Sequence, residues 1–133
     1  MNCLFCKIID GSINSKKVYE NEFVFAFLDV SPVSYGHTLV IPKKHFENFS
    51  ECDDHYLSEV SKASKHVSNL LSNSIDNIQG FNFVSNQGSE AFQMVFHFHQ
   101  HVIPKYKKTE GFVTKNNIVE KIDIDKSFEQ ITK

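Results

Sequence analysis

The stretch His97–Pro104, HFHQHVIP, places His97, His99 and His101 at every second position. A spacing of two is the period of an extended strand, whose successive side chains point to opposite faces. Val95–Pro104 therefore reads as a strand carrying three imidazoles on one face. Phe96, Phe98 and Val102 would face the other way, with Gln100 interrupting that apolar side. Polar residues on an exposed strand face are ordinary, but this chain of 133 residues has only 7 histidines. Three of them within five positions mark a site of chemistry.

Outward from this strand, the chain alternates short extended runs with one long periodic one. VYENEFVFAFLDVSP predicts strands over Val18–Glu20 and Phe23–Leu28 around a turn at Asn21-Glu22, and GHTLVIP a strand over His37–Ile41 ended by Pro42. After SECDD the period changes. Tyr56, Val60, Ala63, Val67 and Leu70 recur at steps of three and four, with Leu57 and Leu71 widening the stripe. That is an amphipathic helix of roughly five turns, capped by Ser50 or Asp53. GFNFVSNQ from Gly80 reads as a strand and GSEAFQ as a loop or turn. In the charged tail, IVEKIDI suggests an edge strand and IDKSFEQITK a short helix. Strands, one long helix, then strands make an α+β domain, with a mainly antiparallel sheet and the helix packed on one face.

The bulk numbers set outer bounds. The length suits one domain with its own core. A net charge of −2 gives no electrostatic case for nucleic acid or an anionic membrane as partner. No apolar run approaches the roughly 18–20 residues that cross a bilayer. The start, MNCLFCKIIDG, lacks the basic and apolar segments of a signal peptide. Three cysteines, Cys3, Cys6 and Cys52, do not form a secreted disulfide framework. The expected location is the cytoplasm.

The triplet alone leaves two chemistries open. Neutral imidazoles on a strand can hold a transition metal. A neutral imidazole is also a usable nucleophile toward phosphorus at neutral pH. Three blocks in order, CLFCKIIDG, FLDVSPVSYGHTLVIPKKH and NQGSEAFQMVFHFHQHVIP, resemble the histidine triad (HIT) family. The likeness spans about residues 3–112 and is greatest to its small purine-nucleoside phosphoramidases with an N-terminal CxxC.

The resemblance implies a HIT-like nucleotide-binding unit over 1–112, with 113–133 an extension of the same single domain. It implies hydrolysis at the α-phosphate of purine nucleoside phosphoramidates or adenylated compounds through a nucleotidyl-histidine, releasing AMP or GMP. Dinucleoside polyphosphate hydrolysis and low-turnover nucleotide binding stand as alternatives. By position His99 resembles the nucleophile, and His101 and His37 the flanking phosphate-binding histidines. Asp29 resembles the acceptor of both ribose hydroxyls, which suits two acceptor-only oxygens. Val30 and Phe27 would sandwich the base, and Asn86 would reach the phosphate or leaving group, with Gln93 and Met94 beside it. Cys3, Cys6, His45 and His97 would form a closed Cys2His2 structural zinc site, one zinc per chain and no organic cofactor. Cys52 has no partner in this scheme and reads as a small hydrophobe or an exposed thiol, while His55 and His66 read as solvated. A homodimer is implied, its two sheets joined edge to edge. Three positions depart from the family pattern. Phe92 stands for Gly, Met94 for a hydrogen-bonding Ser or Thr, and Gln100 for a hydrophobe, so turnover is expected to be slow or narrowed.

Overall fold

The turn at Asn21 shows how local chemistry builds the sheet. The Asn21 side-chain carbonyl accepts the backbone N–H groups of Phe23 and Val24 at 2.8 and 3.0 Å, which reverses the chain. Strand β1, Lys17–Glu20, thereby returns antiparallel as β2, Val24–Leu28. The computed structural model describes residues 2–133. Its other elements are α1 (Leu4–Ile9), β3 (Thr38–Pro42), α2 (Asp54–Ser74), β4 (Gly80–Val84), a 3₁₀ turn at Ser89–Ala91, β5 (Gln100–Lys105) and α3 (Ile124–Ile131). The five strands form one sheet in the order β1-β2-β3-β5-β4, antiparallel at every pairing.

The sheet is covered on both faces. Helix α2 starts where the Asp53 carboxylate accepts the Tyr56 N–H at 2.8 Å. It presents Val60, Ala63, Val67 and Leu71 to Val24, Ala26, Val40, Phe98 and Val102. Each fully buried Val or Phe there is worth roughly 1.5–3 kcal/mol, so a charge at Val67 would break this layer. Ser64 escapes a burial penalty because its hydroxyl donates to the Val60 carbonyl at 2.8 Å. On the opposite face α1 seats Phe5 and Ile8 against Phe25, Phe27, Leu39 and Ile41. This second layer carries the histidines.

Several expectations change. Strand β5 begins at Gln100, so His97 and His99 lie before the ladder. There the Phe98 N–H bonds the Phe46 carbonyl at 2.6 Å instead of a neighbouring strand. Phe98 and Val102 do face the α2 layer, but Phe96 is exposed. Pro42 closes β3 as its last residue, Cys52 is buried, and the helix stripe runs through Leu71 more than Leu70. His55 and His66 are exposed helical residues whose rings lean on Phe23 and Tyr19. No strand forms over IVEKIDI, while the short helix does, as α3. Helix α1 is the element the sequence reading omits. Among the described residues no helix is long and apolar enough to cross a membrane.

Candidate functional site

Two clusters of donor atoms flank the segment His97–His101. The first gathers Cys3, Cys6, His45 and His97, whose ligand atoms all lie within 4.8 Å of one another. Cys3 caps α1, its sulfur accepting the Cys6 N–H at 3.3 Å, so the CxxC spacing turns both sulfurs inward. Cys3 Sγ lies 3.5 Å from His97 Nδ1, Cys6 Sγ lies 3.4 and 3.6 Å from His45 Nδ1 and His97 Nδ1, and the two Nδ1 atoms are 3.2 Å apart. A tetrahedral ion with metal–sulfur bonds of about 2.3 Å and metal–nitrogen bonds of about 2.05 Å requires S···N near 3.5 Å and N···N near 3.3 Å. The residues fit. The fully buried His97 donates from Nε2 to the Pro42 carbonyl at 3.0 Å, which leaves its Nδ1 lone pair facing the cluster. Burial, then the Cys3 sulfur, raises the Cys6 thiol to about 11, and burial lowers His97 to about 4.

The second cluster brings Asp29 from the end of β2, His37 from the start of β3, and His99 and His101 from the β5 segment. His99 Nδ1–H donates to the His97 carbonyl at 2.8 Å, so Nε2 keeps its lone pair. The Phe5 ring stands edge-on to His99 at 5.1 Å and holds the imidazole from the α1 side. His37 Nδ1 accepts the Val33 N–H at 3.2 Å, which puts the His37 proton on Nε2. That proton points to His101 Nδ1 at 2.9 Å, leaving His101 with Nε2–H. Adjacent imidazoles thus present opposite ends, a lone pair on His99 and an N–H on His101. Burial is the main cause that lowers all three, His101 to about 4, so each is neutral at pH 7. Asp29 Oδ1 accepts the Ser31 N–H at 2.8 Å, and Oδ2 stands 3.6 Å from His37 Nε2, beyond hydrogen-bond range.

Asp29, His99 and His101 open on a cleft of about 510 Å³, while the buried His37 lies behind His101 and does not line it. Its floor is apolar and buried, formed by Phe5, Ile8, Phe27 and Leu39. Asp29, Asn86, His99 and His101 line it too, and Val30, Phe92 and Met94, which are 91, 79 and 85% exposed, stand at its rim. Gln93 is not among the lining residues. Its buried amide accepts the Gly88 N–H at 2.9 Å and donates to the Glu47 and Val95 carbonyls at 2.7 and 3.0 Å, so it ties the loop instead of facing a ligand. Phe92 holds φ 69° and ψ 25°, a left-handed backbone that costs a residue with a Cβ about 1 kcal/mol or more. Leu4, Phe5, Ile8 and Leu39 were missed as lining residues. The only sequence signal was an apolar step of three and four in Leu4–Ile9, too short to read as a helix.

A family profile described as the HIT domain matches residues 10–108. A 16.1 kDa HIT-like protein of Mycoplasma pneumoniae is 46% identical over 132 residues, spanning 99% of this chain and 91% of that protein. The adenosine 5′-monophosphoramidase of Candida albicans is 37% identical over 113 residues, spanning 83% of this chain and 74% of that one. The crystal structure of a HIT family protein from Bacillus anthracis has a TM-score of 0.87 at 40% identity, covering 98% and 92% of the two chains. Fold, histidine geometry and sequence agree, and the chain belongs to the HIT family.

Proposed function

We propose that the protein hydrolyses purine nucleoside phosphoramidates or related adenylated compounds at the α-phosphate, with His99 as nucleophile. The observation that carries the reading is the opposed tautomers of the two neighbouring imidazoles. His99 Nε2 attacks phosphorus while its Nδ1–H remains on the His97 carbonyl. The P–N bond of the substrate breaks, and the amine leaves with the electron pair and a proton from solvent. His101 Nε2–H donates to a phosphoryl oxygen, and His37 fixes that donor by its own bond to His101. Water then attacks phosphorus and gives its proton to solvent. The P–Nε2 bond breaks, and neutral His99 and the nucleoside monophosphate are restored. The free Oδ2 of Asp29 suits the ribose hydroxyls, the apolar floor and Val30 suit the purine faces, and Asn86 suits the phosphate.

In this reading a structural zinc sits on Cys3, Cys6, His45 and His97, for which the soft sulfurs and the donor spacing are the support. Such an ion contributes rigidity at the start of the catalytic segment. Cytoplasmic residence agrees with thiolate ligands that must stay reduced. A homodimer joined along the β4 edge agrees with that strand's outer position and with half-exposed Phe83.

The test is release of AMP from adenosine 5′-phosphoramidate by wild type and His99→Ala, with acid-quenched trapping of a nucleotidyl adduct. Turnover and a trapped adduct in wild type alone are expected. Equal turnover by His99→Ala overturns the assignment.

A further inference from the structure

The rim residues Phe92 and Met94 remain unexplained by the reaction itself. Phe92 occupies a backbone conformation suited to glycine, yet its ring is neither packed in a core nor turned away from the cleft. Met94 is likewise exposed at the same mouth and cannot donate a proton. An unburied apolar pair at the mouth of a cleft, one member on a left-handed backbone, offers its surface to whatever lies there. The buried floor of Phe5, Ile8, Phe27 and Leu39 already serves the faces of a base. Val30 follows Asp29, assigned above to the ribose, whereas Phe92 and Met94 belong to the segment that begins at Asn86, assigned above to the phosphate, so in that reading the pair stands beside the group leaving phosphorus. Charge narrows that group further. The chain has no arginine, and none of its lysines lines the cleft. Among the described lining residues there is thus no lysine or arginine to meet the charges of a polyphosphate.

We propose that the leaving group is an amine with an apolar or aromatic side chain, recognised by Phe92 and Met94 at the mouth of the cleft. This inference rests on the hydrolase reading above and specifies its substrate. Transfer of an aryl group from water to an apolar rim with ring stacking predicts roughly 10–100-fold selectivity.

The experiment compares kcat/KM for three adenosine compounds, the unsubstituted 5′-phosphoramidate, its N-phenethyl derivative and diadenosine tetraphosphate. Wild type, Phe92→Gly and Met94→Gln are measured in parallel. Gly suits the backbone at 92, so that variant folds. Expected is a preference of roughly 10–100-fold for the phenethyl compound over the unsubstituted one in wild type, falling at least fivefold in either variant. Equal wild-type rates on the two phosphoramidates, or a ratio unmoved by both substitutions, overturns this inference and leaves the hydrolase reading standing. Faster cleavage of diadenosine tetraphosphate also overturns it. AMP release from none of the three removes the hydrolase reading and this inference with it.

Discussion

His97 and His99 are two residues apart and spend their nitrogens differently. His97 is saturated, with Nε2–H on the Pro42 carbonyl and Nδ1 turned to Cys3, Cys6 and His45. His99 uses one nitrogen on the His97 carbonyl and leaves the other for the cleft. The contrast extends to the clusters. In the first, the Nδ1 atoms of two imidazoles and two sulfurs converge, which is what a cation needs. In the second, Asp29, His37 and His101 are near enough to ligate an ion. There, however, the His37 N–H already points at His101 Nδ1. Proximity is alike in both places, and the placement of protons suits the first to a metal and, in the proposed reading, the second to phosphoryl transfer.

The sharpest way to break the comparison is His99→Ala. Loss of turnover by roughly 10³-fold or more is expected, with one zinc per chain retained by elemental analysis. Loss of the metal would show that the two clusters are one. Next in size is Cys6→Ser, expected to lose the ion and about 2–4 kcal/mol of stability, a fall in Tm of roughly 8–15 °C. An unchanged melting curve would remove the structural role. A smaller effect is expected at the rim. Phe92→Gly relieves the left-handed backbone and should raise stability by about 1 kcal/mol in urea titration; destabilisation would mean that the ring packs more than its exposure indicates.

The smallest effect concerns pH. Burial depresses His37, His99 and His101 in the folded chain, His101 to about 4 from an ordinary 6.5. The unfolded chain therefore binds more protons between these values. The contribution of all three is fully present above about pH 6.5 and falls away below it, that of His101 being lost as pH falls toward 4. His101→Gln should shallow that decline by about one proton in pH-dependent denaturation. An identical slope would place its titration near the ordinary value.

Much of the fold was legible because its elements have strong local signals. Val60, Ala63 and Val67 repeat at helical steps under an Asp53 cap, and Phe23–Leu28 and His37–Ile41 stand between turn residues. The segment before Gln100 was misread for a physical reason. Alternation of side chains needs only an extended backbone, and Phe98 satisfies its N–H on the Phe46 carbonyl, a partner far away in sequence. Gln93 shows the same limit. An amide near the histidine segment offers a ligand or the chain the same two functions, and only the positions of Glu47, Gly88 and Val95 choose between them.

The sequence by itself determined which chemistry is present. It holds two thiols three apart, three imidazoles two apart, and a carboxylate ahead of a Pro turn, because residue types and short spacings are local facts. Tertiary structure alone decided which nitrogen of each histidine carries its proton. The lone pair of His99, the N–H of His101 and the fully engaged ring of His97 follow from hydrogen bonds to a carbonyl, a neighbouring imidazole and Pro42. A proton on one ring nitrogen or the other is fixed by its partner in space, and no spacing along the chain encodes it.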